Sequence, residues 1–225
     1  MRSTGSGSPL VEAVIFDMDG TLIESTDVVT AAFRAAVVAG GGPVFSDADI
    51  VAAYPLGPPR RILEHLLGRP VTSGELDLYY SHLASGRVRT YDGVEHVLSL
   101  IAQRASVAVF TGASRKAAQI LLGGAGLLGF FAVVVGGDEV AHPKPEPDGI
   151  LLACDRLGVE PGSVAYVGDS PLDLRAARRA GALAVAAAWG HLYDAGQAAD
   201  RTARQPIDLC ALVSPQASRD TVLPA

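Results

Sequence analysis

Five stretches of the chain are short apolar runs of strand length, each ending in small or acidic residues: residues 11–18, 107–113, 131–138, 164–169 and 183–189. Runs this continuous fit strands that are buried on both faces, as in a parallel sheet covered by helices on either side. Between them lie amphipathic helical patterns at residues 94–104, 114–122, 149–157 and 172–180, with Gly123, Gly158 and Gly181 placed to close the last three. From about residue 90 onward, strand and helix therefore alternate. This rhythm predicts a doubly wound, Rossmann-like α/β core with right-handed crossovers.

Residues 26–90 break the rhythm. They carry helical patterns at 28–39, 62–67 and 75–83 and no strand pattern, so they read as an inserted α-helical cap domain above the sheet. Its linkers fall at residues 24–26 and 89–93, where Asp92-Gly93 has turn chemistry. The expected organisation is a catalytic core of residues 11–25 and 91–213 around a helical cap of residues 26–90. A disordered lead of residues 1–10 precedes it and a loose Pro/Ser-containing tail of residues 214–225 follows a short apolar helix at 207–213. At 225 residues, one core with a smaller insert suits the length.

Apolar residues make up 49% and charged residues 19%, and no apolar run is long enough to span a bilayer, which predicts a core buried in water and no membrane partner. The Gly/Ser-rich beginning does not read as a signal peptide. Cys154 and Cys210 are far apart and form no C-x-x-C pair, so they read as free thiols in a reducing cytoplasm. The formal charge of −6 is spread along the chain without a basic block, which argues against nucleic acid as a partner.

In an open parallel sheet, ligands bind at the carboxyl ends of the strands. The first run ends Asp17-Met18-Asp19-Gly20-Thr21, two carboxylates at i and i+2 followed by a glycine that permits a sharp turn. The second ends Thr111-Gly112-Ala113, a hydroxyl and backbone N–H groups at the start of a helix, which suits an anion. The fourth ends Gly168-Asp169-Ser170-Pro171-Leu172-Asp173. Four acids at neighbouring strand ends repel one another and call for a cation; oxygen ligands favour a hard divalent ion, Mg²⁺ by preference. Lys144, one of only two lysines, stands between Pro143 and Pro145 and offers an ammonium group to the same cluster.

Taken together, the D-x-D-G-T at Asp17–Thr21, the strand-end Thr111, Lys144 before a proline and the G-D-x-x-x-D at Gly168–Asp173 resemble the four ordered motifs of the haloacid dehalogenase superfamily. The helical insert is similar to the cap of its phosphoglycolate phosphatase-like branch. The resemblance covers about residues 11–213. It implies a phosphatase in which Asp17 attacks phosphorus to form an aspartyl-phosphate, and Asp19 protonates the leaving oxygen and then deprotonates water. It implies further that Thr111 and the Gly112 amide, beside Ala113, hold phosphate oxygens and that Lys144 stabilises charge. Mg²⁺ is then ligated by Asp17, the backbone carbonyl of Asp19 and Asp169, with Asp173 in a supporting role. The expected partner is a small phosphorylated metabolite.

The insert contains no lysine, which weighs against the phosphonate-cleaving and β-phosphoglucomutase-like branches that use one; the mutase remains the alternative. Asp19 weighs against carbon–halogen cleavage. A phosphate-binding regulatory protein on the same fold is the non-enzyme alternative. Two assignments stay open on the residues alone. Asp173 reads equally well as a helix cap, and Arg60 and its neighbour Arg61 read either as contacts for an anionic substrate group or as solvated residues at a helix start. The G-x-G-x-x-G at residues 124–129 follows a helix and precedes a strand, the reverse of the dinucleotide-binding order, so it reads as a helix stop. The five histidines have no zinc spacing and read as structural or surface residues.

Overall fold

The computed structural model describes residues 11–213; the lead and tail expected at 1–10 and 214–225 lie outside the described residues. Its main sheet is built from β1 (Ala13–Phe16), β4 (Ser106–Phe110), β5 (Val133–Val135), β6 (Val164–Gly168), β7 (Leu183–Ala187) and β8 (Arg201–Ala203). The spatial order is β5-β4-β1-β6-β7-β8, every pair parallel. β1 is thus central, flanked by β4 and β6, and the chain reverses its direction of winding beside it. That switch point brings three strand ends together.

Alternate residues of these strands feed two cores. Val14, Phe16, Val107, Val109, Ala165 and Val167 face one side, while Ala13, Ile15, Ala108, Phe110, Val164 and Tyr166 face the other. Helices α7 (Asp148–Leu157) and α8 (Pro171–Ala180) cover the second face, and α5 (Val94–Ile101) and α6 (Arg115–Gly124) pack on the first. This accounts for the uninterrupted apolar runs: neither side of the sheet meets water.

All five expected strands form, each shorter than its apolar run. The sixth, β8, was not expected, because Arg201-Thr202-Ala203 is a short edge strand with polar residues and little apolar signal. Its approach is fixed by Asp200, whose carboxylate accepts the Ala184 N–H at 2.8 Å. Gly158 and Gly181 close α7 and α8 in the left-handed conformation, as expected. Gly123 instead lies inside α6, which ends at Gly124 and turns through Gly126. The run at 124–129 is therefore a helix stop, and the expected helix at 207–213 is a 3₁₀ segment, Pro206–Leu212.

The insert holds four helices, α1 (Thr26–Ala39), α2 (Asp47–Ala52), α3 (Pro59–Leu67) and α4 (Ser73–Ser85), of which α2 was not expected. A two-stranded antiparallel ribbon, β2 (Ile23–Glu24) with β3 (Arg89–Thr90), joins the insert to the core where the linkers were expected. Phe33 of α1 packs on Tyr79 of α4, ring centroids 4.5 Å apart. Arg69 clamps the same pair of helices: it donates to the Gly40 carbonyl at 2.8 Å and grips both oxygens of Glu75. Glu75 also closes a capping box with Thr72 at the start of α4.

Arg69 and then the Thr72 amide pull the Glu75 carboxyl down to about 2 from an ordinary 4.5. A depressed carboxyl stabilises the fold fully above its unfolded value and loses that contribution as pH falls through its folded value. Thermal denaturation of the wild type and Glu75→Gln is expected to show a stability gap at pH 7 that narrows between pH 4.5 and about 2. A gap of constant size across that range contradicts the assignment.

Candidate active site

The central strand β1 carries Asp17 out of its carboxyl end, with its N–H fixed to the Val167 carbonyl of β6 at 2.8 Å. The chain then turns at Gly20, where φ is +84° and a Cβ would lie 2.3 Å from the Asp169 carboxylate. Only glycine combines that left-handed backbone with so close an approach. The turn leaves Asp19 partly buried, its Oδ1 accepting a short hydrogen bond from the Ser25 hydroxyl.

From the far side comes Lys144, in the loop between β5 and α7. Its ammonium donates to Asp17 Oδ1 at 2.5 Å and to Asp173 Oδ1 at 2.7 Å, and only 11% of its side chain is exposed. The rings of Phe110 and Tyr166 wall it in at 5.1 and 5.4 Å. Burial alone depresses the lysine, but the Asp17 and Asp173 carboxylates outweigh it and hold the group as an ammonium, well above its ordinary value.

Asp173 is the helix cap that the sequence allowed, and it also meets Lys144. Its N–H and Oδ2 complete a capping box with Ser170 at the start of α8, while Oδ1 receives Lys144 at 2.7 Å and lies 3.4 Å from the Tyr166 hydroxyl, which donates to the Phe110 carbonyl at 2.9 Å. Both oxygens are thus engaged. Asp169 is different: 2% exposed, it accepts the Leu192 N–H at 2.9 Å through Oδ2, while its buried Oδ1 has no partner.

Burial raises the carboxyls of Asp17, Asp19 and Asp169, with neighbouring acids adding to the effect at Asp17 and Asp169. Four carboxylates face a single ammonium. One oxygen each from Asp17, Asp169 and Asp173 lies within 4.8 Å of the others. An all-oxygen cluster with excess negative charge and an orphaned buried oxygen on Asp169 is a set of donors that fits a hard divalent cation.

At the end of β4, Thr111 is buried with its N–H on the Val135 carbonyl, and its Oγ1 accepts the Ala113 N–H at 3.2 Å. The Thr111 hydroxyl proton and the Gly112 N–H are left as donors in residues that line the same cavity as the acids. Ser114 caps α6 and meets the Tyr80 hydroxyl of α4 at 3.0 Å, tying the insert to the core. A cavity of about 220 Å³ joins these elements; Asp17, Asp19, Thr111, Gly112, Ala113, Lys144, Asp169 and Asp173 all line it, and the insert roofs it with Val29, Phe33, Tyr54, Ile62 and Tyr79.

Arg60 lies outside that cavity. Its guanidinium donates to the Val71 carbonyl at 3.3 Å and approaches Glu64 at 3.8 Å, and with Arg61 it lines a neighbouring cleft. At the first turn of α3 the sequence could not tell which way the side chain faces. His142 pairs with Asp148 at 2.9 Å, away from the acids. Ser25, Tyr166, Ser170 and the Leu192 amide were not foreseen. Nor was Gly190, where a Cβ would lie 2.2 Å from that of Asp169. Of these, Tyr166 alone leaves a signal, one hydroxyl-bearing ring inside an aliphatic strand.

An acid cluster of this kind, set at the switch point of a parallel sheet and facing an anion-binding turn, defines a phosphoryl-transfer site. The family model for haloacid dehalogenase-like hydrolases matches residues 11–181. Phosphoglycolate phosphatase of Xanthomonas campestris pv. campestris is 34% identical over 185 residues, 80% of this chain and 84% of that protein. The probable phosphatase IndB of Dickeya dadantii is 34% identical over 198 residues, covering 83% and 86%. The structure of CbbY from Rhodobacter sphaeroides in complex with phosphate matches with a TM-score of 0.74 at 24% identity, over 89% of this chain and 96% of that one, a likeness of fold. The chain belongs to the haloacid dehalogenase-like hydrolase family, and within it to the hydrolases of phosphoric monoesters. No helix among the described residues is long and apolar enough to cross a membrane.

Gly20→Ala is expected to cost at least about 1–2 kcal/mol from the left-handed backbone alone and to push the Asp169 carboxylate aside. Thermal denaturation and turnover should both fall. A variant with wild-type stability and activity shows that the close approach at Gly20 is not required.

Proposed function

We propose that the protein is a Mg²⁺-dependent phosphatase that hydrolyses a small phosphate monoester through an aspartyl-phosphate on Asp17. The observation that carries this reading is the Lys144 ammonium held between Asp17 and Asp173, beside the unpartnered Oδ1 of Asp169. A carboxylate paired with a buried ammonium can approach an anionic phosphoryl group without meeting unrelieved repulsion.

In the first step an Asp17 oxygen bonds to phosphorus and the bond from phosphorus to the leaving oxygen breaks, while Asp19 gives that oxygen a proton. In the second, Asp19 takes a proton from water, the water oxygen bonds to phosphorus, and the Asp17–phosphorus linkage breaks to release phosphate. Ser25 holds the Asp19 carboxylate in place for both transfers. The Thr111 hydroxyl and Gly112 amide bind phosphoryl oxygens. Asp17, the main-chain carbonyl of Asp19 and Asp169 would hold Mg²⁺, with Asp173 fixing Lys144 instead of ligating. When bound, the ion supplies positive charge that offsets the acids and the phosphoryl oxygens.

Residues 26–90 act in this reading as a cap hinged on the β2–β3 ribbon. It closes over the ester to exclude water and opens to release products, with Tyr80 and Ser114 meeting in the closed form. The free thiols Cys154 and Cys210 suit a reducing cytoplasm, where we place the enzyme.

Purified protein is expected to release phosphate from phenyl phosphate with Mg²⁺ and to stop when EDTA is added. Asp17→Asn should lose about three orders of magnitude or more in turnover while keeping its circular dichroism and thermal midpoint. Undiminished activity in a folded Asp17→Asn protein rules out the assigned nucleophile.

A further inference from the structure

The roof of the cavity has a composition that the chemistry at its floor does not explain. Among the lining residues Lys144 is the only Lys or Arg, and it is already engaged by Asp17 and Asp173. The walls and roof that face the leaving-group side are Val29, Phe33, Ile62, Tyr79, Leu121 and Pro59. The cations nearest in sequence or space stand outside the cavity, and all but Arg61, which lines the neighbouring cleft, are engaged there. Arg60 is held by the Val71 carbonyl and Glu64, Lys116 lies over the Tyr80 ring at 4.1 Å and near Asp77 at 3.9 Å, and His191 faces Asp169 at 4.0 Å. The polar atoms that the roof offers are neutral tyrosine hydroxyls, that of Tyr54, buried without a partner, and that of Tyr79.

We infer that the leaving alcohol of the substrate is uncharged and mainly apolar, of about the size of a single ring, with any polar group limited to what a tyrosine hydroxyl can meet. Size is bounded by volume: the cavity of about 220 Å³ has to hold the phosphoryl group as well, which leaves the leaving alcohol no more than the ~150 Å³ that accommodates a benzene ring. Charge follows from electrostatics. A carboxylate or second phosphate on the leaving group has to be desolvated against apolar walls, finds no free cation among the lining residues, and adds to the excess of acids on the floor. An aromatic or aliphatic group is buried there favourably instead. This inference rests on the phosphatase reading for the position of the phosphoryl group, and it sets the specificity of this chain apart from an ester such as phosphoglycolate, whose leaving alcohol carries a carboxylate.

The test compares matched compounds on the wild-type enzyme with Mg²⁺. Phenyl phosphate is expected to exceed 4-carboxyphenyl phosphate in kcat/KM by about tenfold or more, although the carboxylated phenol is the better leaving group, and 2-hydroxyethyl phosphate is expected to exceed 2-phosphoglycolate in the same sense. Phenylphosphonate and 4-carboxyphenylphosphonate, which cannot turn over, provide the same comparison in binding by calorimetry, with the neutral compound about tenfold tighter. Equal or reversed preferences overturn the inference. Absence of turnover with every ester overturns the phosphatase reading instead, and the two phosphonates then still decide the question of charge.

Discussion

One buried ammonium organises the site. Among the described residues Lys144 is the single cation that hydrogen-bonds both the nucleophile candidate at the end of β1 and the capping acid on α8. Removing one partner of such a pair typically costs about 3–5 kcal/mol, because the other charge is left uncompensated. The arrangement is therefore stable only as a set, and its other members follow from it. The Ser170 box orients Asp173, Asp173 holds the lysine, and the lysine fixes Asp17. Asp169 is left over with an unpartnered oxygen, which is where positive charge is still missing.

The sheet order makes this meeting possible. With β1 between β4 and β6, three strand ends project into one crevice, and they bring two chemistries: carboxylates from β1 and β6, a hydroxyl and amides from β4. The insert contributes almost no charge. It is packed around Phe33 and Tyr79, tied at the bottom by Arg69 and Glu75 and at the rim by Tyr80, and it offers the crevice a roof of hydrocarbon and rings. In the proposed reading floor and roof divide the work: the floor holds a phosphoryl group by charge, and the roof selects what is attached to it by shape and polarity.

Much of this could be read in the residues. Apolar runs buried on both faces announced the parallel sheet, and acids placed just after such runs can only converge at its carboxyl edge, so Asp17, Asp19 and Asp169 were legible together with Thr111 and Lys144. The parts that were missed depend on geometry that sequence spacing does not encode. β8 has three residues and gains its place from a neighbour's hydrogen bonds. Ser25 meets Asp19 only because the chain reverses between them at Gly20. Leu192 contributes a backbone amide, which every residue possesses, and Gly190 matters for the side chain that it lacks. Arg60 pointed the other way for the same reason: one residue of rotation at the start of α3 decides between cavity and solvent.

The most direct test of the account is to catch the covalent intermediate at its predicted atom. Enzyme mixed with phenyl phosphate and Mg²⁺, quenched and treated with borohydride, should yield homoserine in place of aspartate at position 17 and at no other acid, as read by peptide mass spectrometry. Aspartate left intact at position 17, or reduction at Asp19, Asp169 or Asp173 instead, would contradict the central claim.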